Sequence, residues 1–201
     1  MYNLFFFIFI GYLNVNVFSH KSHEGTDSEM WQINASSSLS VDGKTNINTF
    51  KCVVSSYGKT DTLLCDLNKV GNSYFKIKSI LDIPVSNFDC HHRIMTKDLQ
   101  KTLKMSQFPV MYIDIRSLNT LPGNAMHSGS TGDVYISLAG TKVKYQLQFK
   151  ANHHQGHIEF TSKKFILFSD FGLTPPSKLG GAIKVNDQLE VEVRLHLRKI
   201  S

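Results

Sequence analysis

Proline is scarce in this 201-residue chain, at five residues, and cysteine, at three, and tryptophan, at one, are scarcer still. So little proline excludes a collagen-like or polyproline chain, and three cysteines exclude the dense disulfide framework of a small secreted module. Long apolar runs are missing too. Only Leu4 to Leu13 stands out, and at ten residues it is too short to cross a bilayer as a helix. No phosphate-cradling glycine loop, nucleophile elbow or paired catalytic carboxylates occurs, so the expectation is a protein without catalysis. Basic and aromatic residues do not cluster as nucleic-acid binding requires.

Acidic residues are the minority, 16 against 22 basic ones, for a formal charge of +6. Many of the bases (Lys76, Lys78, Lys142, Lys144, Lys150, Lys184, Arg194, Arg198) fall on outward positions of alternating segments, which suits a solvated outer face. The Leu4–Leu13 run sits where a secretory leader has its hydrophobic region. Residues 1–19 are therefore expected to be a signal peptide cut after Ser19, although no Lys or Arg precedes the run; a retained anchor is the alternative. Residues 20–30 are polar and aperiodic, a flexible lead-in to a single domain over 31–201. The location implied is periplasmic or secreted. There the cysteines form at most one internal bridge. A hairpin near Gly58 would pair Cys52 with Cys65, whereas the similar settings Phe50-Lys51-Cys52 and Phe88-Asp89-Cys90 favour Cys52 with Cys90; three reduced, buried thiols are a third reading.

What the chain has in abundance is period-two alternation. Ile183, Val185, Leu189, Val191, Val193, Leu195 and Leu197 alternate with polar residues almost to the chain end. At about 3.3 Å per residue this is a strand of about 50 Å, long enough that it must curl. Trp31 to Val41 alternates up to an expected turn at Asp42-Gly43, Thr45 to Ser55 follows with a parity shift between Ile47 and Phe50 that suggests a bulge, and Phe75 to Val85 ends at Pro84. Met95, Leu99 and Leu103 change the period to four, a short amphipathic helix. Val110 to Ser117, Val134 to Leu138, Val143 to Phe149 and Ile158 to Phe168 complete the strands, with turns at Ala139-Gly140 and Asn152–Gly156. With no helical layer to cover a second sheet face, the fold class is all-β, and an eight-stranded antiparallel barrel with one short helix removes the exposed edges.

Several segments are similar to the YceI-like, lipocalin-like proteins: Trp31-Gln-Ile, Ser38 to Phe50, Phe88-Asp-Cys90 with the helix and Phe108-Pro109, Val134 to Lys142, Asp170 to Pro176, and Gly181 to Asp187. The resemblance covers nearly all of the chain beyond the leader, in order. It implies an extended lipocalin-like barrel exported to the periplasm, with an apolar tunnel that holds a polyisoprenoid chain such as a quinone tail or polyprenyl carrier, and no further cofactor. The expected partner is then an isoprenoid lipid, with transient contact to a membrane surface, no nucleic acid, and either a monomer or a homodimer.

The inward positions with the chemistry to line such a tunnel are Ile33, Leu39, Val41, Phe50, Ile77, Leu81, Met111, Ile113, Leu147, Phe149, Phe160, Phe171 and Val191. Each is also what ordinary core packing would use. Phe165, Phe168 and Phe171, beside Gly172 and Pro175-Pro176, suit either a lid at the mouth or a rigid plug. His91 and His92, and His153, His154 and His157, carry imidazoles that bind metals, but their spacing matches no structural-zinc pattern, so exposed turn histidines are the simpler reading. A ligand-free envelope interaction or stress protein, binding metal through these histidines, is the alternative function.

Overall fold

The structure, a computed structural model, describes residues 27–71 and 73–200. The expected leader, 1–19, and most of the expected lead-in lie outside the described residues. The strands are β1 (Ser28–Ile33), β2 (Ser38–Thr45), β3 (Thr49–Val54), β4 (Asp61–Val70), β5 (Tyr74–Pro84), β6 (Val110–Leu118), β7 (Ser130–Leu138), β8 (Thr141–His154), β9 (His157–Leu167), β10 (Ser177–Lys178) and β11 (Ile183–Lys199), with helix α1 (Arg93–Thr102) between β5 and β6. The first strand begins at Ser28, three residues ahead of the expected onset at Trp31.

Strands β1, β4, β5, β6, β7, β8, β9 and β11 pair antiparallel around a ring, and β11 closes on β1 through Trp31 opposite Lys199 and Ile33 opposite Leu197. The result is a closed eight-stranded barrel with one short helix. Alternation decides which face is inside: along β11 every odd position from Leu189 to Leu197 is buried. At the tight β7–β8 hairpin, Ala139 and Gly140 both take positive φ (51° and 85°), the primed turn that matches strand twist.

Four local expectations are corrected. Trp31 to Val41 is two strands rather than one. At Asn34–Ser37 the chain leaves the ladder, Ser37 Oγ accepts the His196 N–H, and β2 resumes along β11 with Val41 opposite Val191. Asp42-Gly43 lies inside β2 and is not a turn. Gly43 is there because the Phe50 ring of β3 lies across it, where any β-carbon would collide. The parity change before Phe50 is the β2–β3 turn itself, 46–48, and needs no bulge. The turn after β8 is also shorter than expected, since His153 and His154 are still paired, opposite Ile158 and His157.

An apolar cleft at the barrel mouth

One end of the barrel, the mouth, gathers the β2–β3 turn, α1, the β7–β8 turn and the 168–182 connection. Here the wall is incomplete. β4 pairs with β5 only as far as Leu64 opposite Lys78, and β3, paired with β2, touches the next segment through a single bridge, Val53 with Asp89. Three devices fill the seam between β3 and β5. A disulfide joins Cys52 to Cys90, leaving Cys65 a free, buried thiol. Helix α1 lays Leu99 against the core. Tyr57, 6% exposed, inserts its ring, and its hydroxyl donates to Asp61 Oδ2 at 2.5 Å while accepting the Asp82 backbone N–H at 3.3 Å. The phenol thus takes a backbone donor that lacks a strand partner. Burial and the Asp61 carboxylate push its pKa up, and Lys59, bonded to Asp82, holds the Asp82 carboxyl below its usual range.

Under α1 the repair leaves room. A cleft of about 260 Å³ runs between Ile94, Met95 and Leu99 of α1, Phe50 and Cys52 of β3, Phe168, and Ile183 and Val185 of β11. Its surface is almost wholly carbon. Polar groups stand only at the rim, where Lys178 Nζ meets Asp98 Oδ1 at 2.7 Å and ties β10 to α1. Depressions of about 600 and 540 Å³ elsewhere on the barrel are larger, but they are lined with Lys, Gln, Asn and Glu, so an apolar ligand gains little there.

No family model matches the sequence, and no curated protein matches it. Solved structures do. BcnA of Burkholderia cenocepacia superposes with a TM-score of 0.59 at 12% identity, over 82% of this chain and 98% of that one. A domain from Saccharophagus degradans, described as polyisoprenoid binding and implicated in plant cell wall breakdown, reaches 0.55 at 11% identity, over 85% and 98%. The Campylobacter jejuni YceI protein reaches 0.51 at 16% identity, over 69% and 80%. The fold is that of the YceI-like proteins.

Within this YceI-like barrel, the residues expected to line a tunnel are mostly packed against one another. Ile33, Leu39, Val41, Ile77, Leu81, Met111, Ile113, Leu147, Phe149, Phe160, Phe171 and Val191 are all buried, and the Phe149 and Phe160 rings stack at 4.5 Å. Between Leu39, Leu81, Ile113, Val193 and Leu195 the space left is about 10 Å³, barely room for one water. Of the set only Phe50 faces the cleft. The three phenylalanines separate: Phe168 forms cleft wall, Phe171 plugs the barrel beside Tyr145, and Phe165 lies outside at 57% exposure. The histidines separate as well. His92 stands at the cleft rim and His91 beside it, while His154 and His157 stack at 4.9 Å at the opposite end. The two groups cannot share one ion, and among the described residues no three or more His, Cys, Asp or Glu are placed to hold a metal.

Sequence reasoning missed Tyr57, the Asp98–Lys178 tie and His196, which touches both His157 and the Ser36 hydroxyl. Only Ile94 left a trace in the pattern, as an extra apolar position beside Met95 that the Met95-Leu99-Leu103 face does not need.

Proposed function

We propose that the protein is an exported, non-catalytic carrier that binds an isoprenoid lipid, with the end of its hydrocarbon chain in the mouth cleft. The observation that carries this reading is the carbon-lined surface of that cleft. The YceI-like fold, shared with a domain described as polyisoprenoid binding, supports it. Each methylene withdrawn from water contributes about 0.8 kcal/mol, so a slim chain needs no polar anchor below the rim. At about 260 Å³ the cleft is just under the roughly 300–1,000 Å³ usual for small-molecule sites, so it takes a chain end and leaves the head group near His92 and Lys178.

Organic extraction of the purified protein followed by mass spectrometry tests the reading, and an isoprenoid lipid or quinone is the expected product. Met95→Trp, which fills the cleft from α1, is expected to weaken binding of added isoprenoid quinone about tenfold, the equivalent of about two methylenes returned to water. A lipid-free protein that also refuses added quinone sinks the proposal. The filled interior favours the second reading in that event, a ligand-free envelope interaction protein.

A further inference from the structure

The tips around the cleft carry a surface that the cleft does not require. Among the described residues the four most exposed large hydrophobic side chains are Leu179 (78%), Ile47 (66%), Val70 (63%) and Ile94 (62%). All but Val70 border the mouth. Ile94 is cleft wall, Leu179 follows the wall residue Lys178, and Ile47 tips the β2–β3 turn, which Asn46 ties to Ala182 and Lys184. Leu179 has φ 52°, a left-handed conformation that costs a leucine about 1 kcal/mol, so the backbone presents this side chain outward against local preference.

Cations frame these three aliphatics. Arg93, Lys97 and Lys101 recur every four residues along the exposed side of α1, and Lys44 and Lys184 flank the β2–β3 turn. None of the five has an ion-pair partner among the described residues. The neighbouring carboxylates are engaged with other groups: Asp98 with Lys178, Asp89 with the His91 N–H and the Thr96 hydroxyl, Asp170 with the Tyr145 hydroxyl, and Asp187 with Ser169.

We propose that this rim docks the mouth onto a bilayer that bears anionic head groups. Ile47, Ile94 and Leu179 enter the boundary between head groups and acyl chains, and the α1 cations meet lipid phosphates. The inference rests on the reading of the cleft as a lipid site and adds the place where the lipid is collected, since a docked mouth lets a chain pass from bilayer to cleft without crossing water. An acidic protein partner would satisfy the cations but leave three aliphatic tips without a role, which is why the bilayer is favoured.

Flotation of the purified protein with vesicles tests the proposal. Binding is expected to vesicles of equal phosphatidylcholine and phosphatidylglycerol, to weaken as salt rises, and to be far lower on phosphatidylcholine alone. Replacing all three α1 cations (Arg93→Gln, Lys97→Gln, Lys101→Gln) is expected to lower the partition coefficient about a hundredfold, each near-surface cation contributing about fivefold. Leu179→Ser is expected to weaken binding while preserving its salt dependence. These positions are exposed, and circular dichroism checks that each variant keeps its β-sheet signal. Equal affinity for neutral and anionic vesicles, an unaffected triple variant, or capture by an immobilised acidic peptide in preference to anionic vesicles overturns docking. Lipid content, measured on the same preparation, reports on the cleft separately: a protein that holds isoprenoid but ignores anionic vesicles keeps its cleft and loses its dock.

Discussion

The two ends of the barrel solve the same problem in opposite ways. At the far end strand pairing closes the ring, with local register shifts in β4–β5 and β5–β6: β11 closes on β1, and the β8–β9 hairpin stays paired to His154 opposite His157. Strand pairing, helped between β6 and β7 by Asn119 and Ser117, shuts the wall there. At the mouth β3 stands apart from β5, and a disulfide, a tyrosine and a ten-residue helix replace the missing strand pairing. Side chains can fill a seam but do not tile it as a ladder does, so the free volume collects under α1. The end that is less completely hydrogen-bonded is also the end with a carbon-lined site, exposed aliphatics and unpaired cations.

The mouth must therefore depend on its covalent tie. Cys52→Ser with Cys90→Ser reopens a loop spanning 38 residues, which chain entropy values at about 4 kcal/mol. Denaturant titration checks the total, and amide exchange checks the location: α1 and β3 are expected to lose protection first, with β8, β9 and β11 little changed. Uniform loss around the ring would erase the distinction between the ends. Tyr57→Phe is the next largest step. It keeps the ring but leaves the Asp82 N–H without an acceptor and takes one donor from Asp61, which retains Lys59 at 3.5 Å, costing about 2 kcal/mol. Faster exchange of the Asp82 amide is expected at the seam.

The contrast between the ends also explains what was legible beforehand. Along β11 and across the Ala139-Gly140 hairpin, local pattern and tertiary structure agree, so alternation alone placed them. It failed where a distant partner decides. The parity from Ile33 through Ser37 to Val41 continues across the break, because the break is imposed by the change of partner from β4 to β3. Gly43 resembles a turn residue but makes room for the Phe50 ring. In β4 the Leu63-Leu64 pair masks the alternation, so the sequence shows no strand there. The cleft was illegible for a related reason: Phe50, Met95, Phe168 and Val185 come from four separate segments, and each looks like ordinary core.

A pH experiment separates the far end from the seam. Cys65 is fully buried in β4, near Glu29 and Lys199, and burial, aided by the Glu29 charge, pushes its thiol up to about 12. A group raised in the folded state contributes stability fully below its unfolded pKa, about 8.5 for a thiol, and loses it as pH rises toward the folded value. Stability is therefore expected to decline from about pH 8.5, before the raised phenols of Tyr57 and Tyr145 add their own loss above about pH 10. Cys65→Ala is expected to flatten the profile between about pH 8.5 and 10, as followed by denaturation midpoints. A decline that persists in this variant would place the alkaline weakness elsewhere.

The smallest expected effect is a gain, and it concerns the packed barrel between the two ends. Ser79 on β5 and Ser162 on β9 turn their hydroxyls inward, at 5% and 3% exposure, and neither Oγ has a hydrogen-bond partner among the described residues. An unpaired buried hydroxyl carries a desolvation penalty of about 1–3 kcal/mol, and replacing it with a β-methyl removes the penalty and leaves only a small void. Ser162→Ala, beside Phe149 and Val193, is expected to raise stability by about 1 kcal/mol in a urea titration. A loss of similar size would mean that the hydroxyl is satisfied by water or by a polar group of a bound molecule inside the barrel. The interior could then no longer be treated as dry packing, and the contrast between a filled body and an open mouth would have to be redrawn.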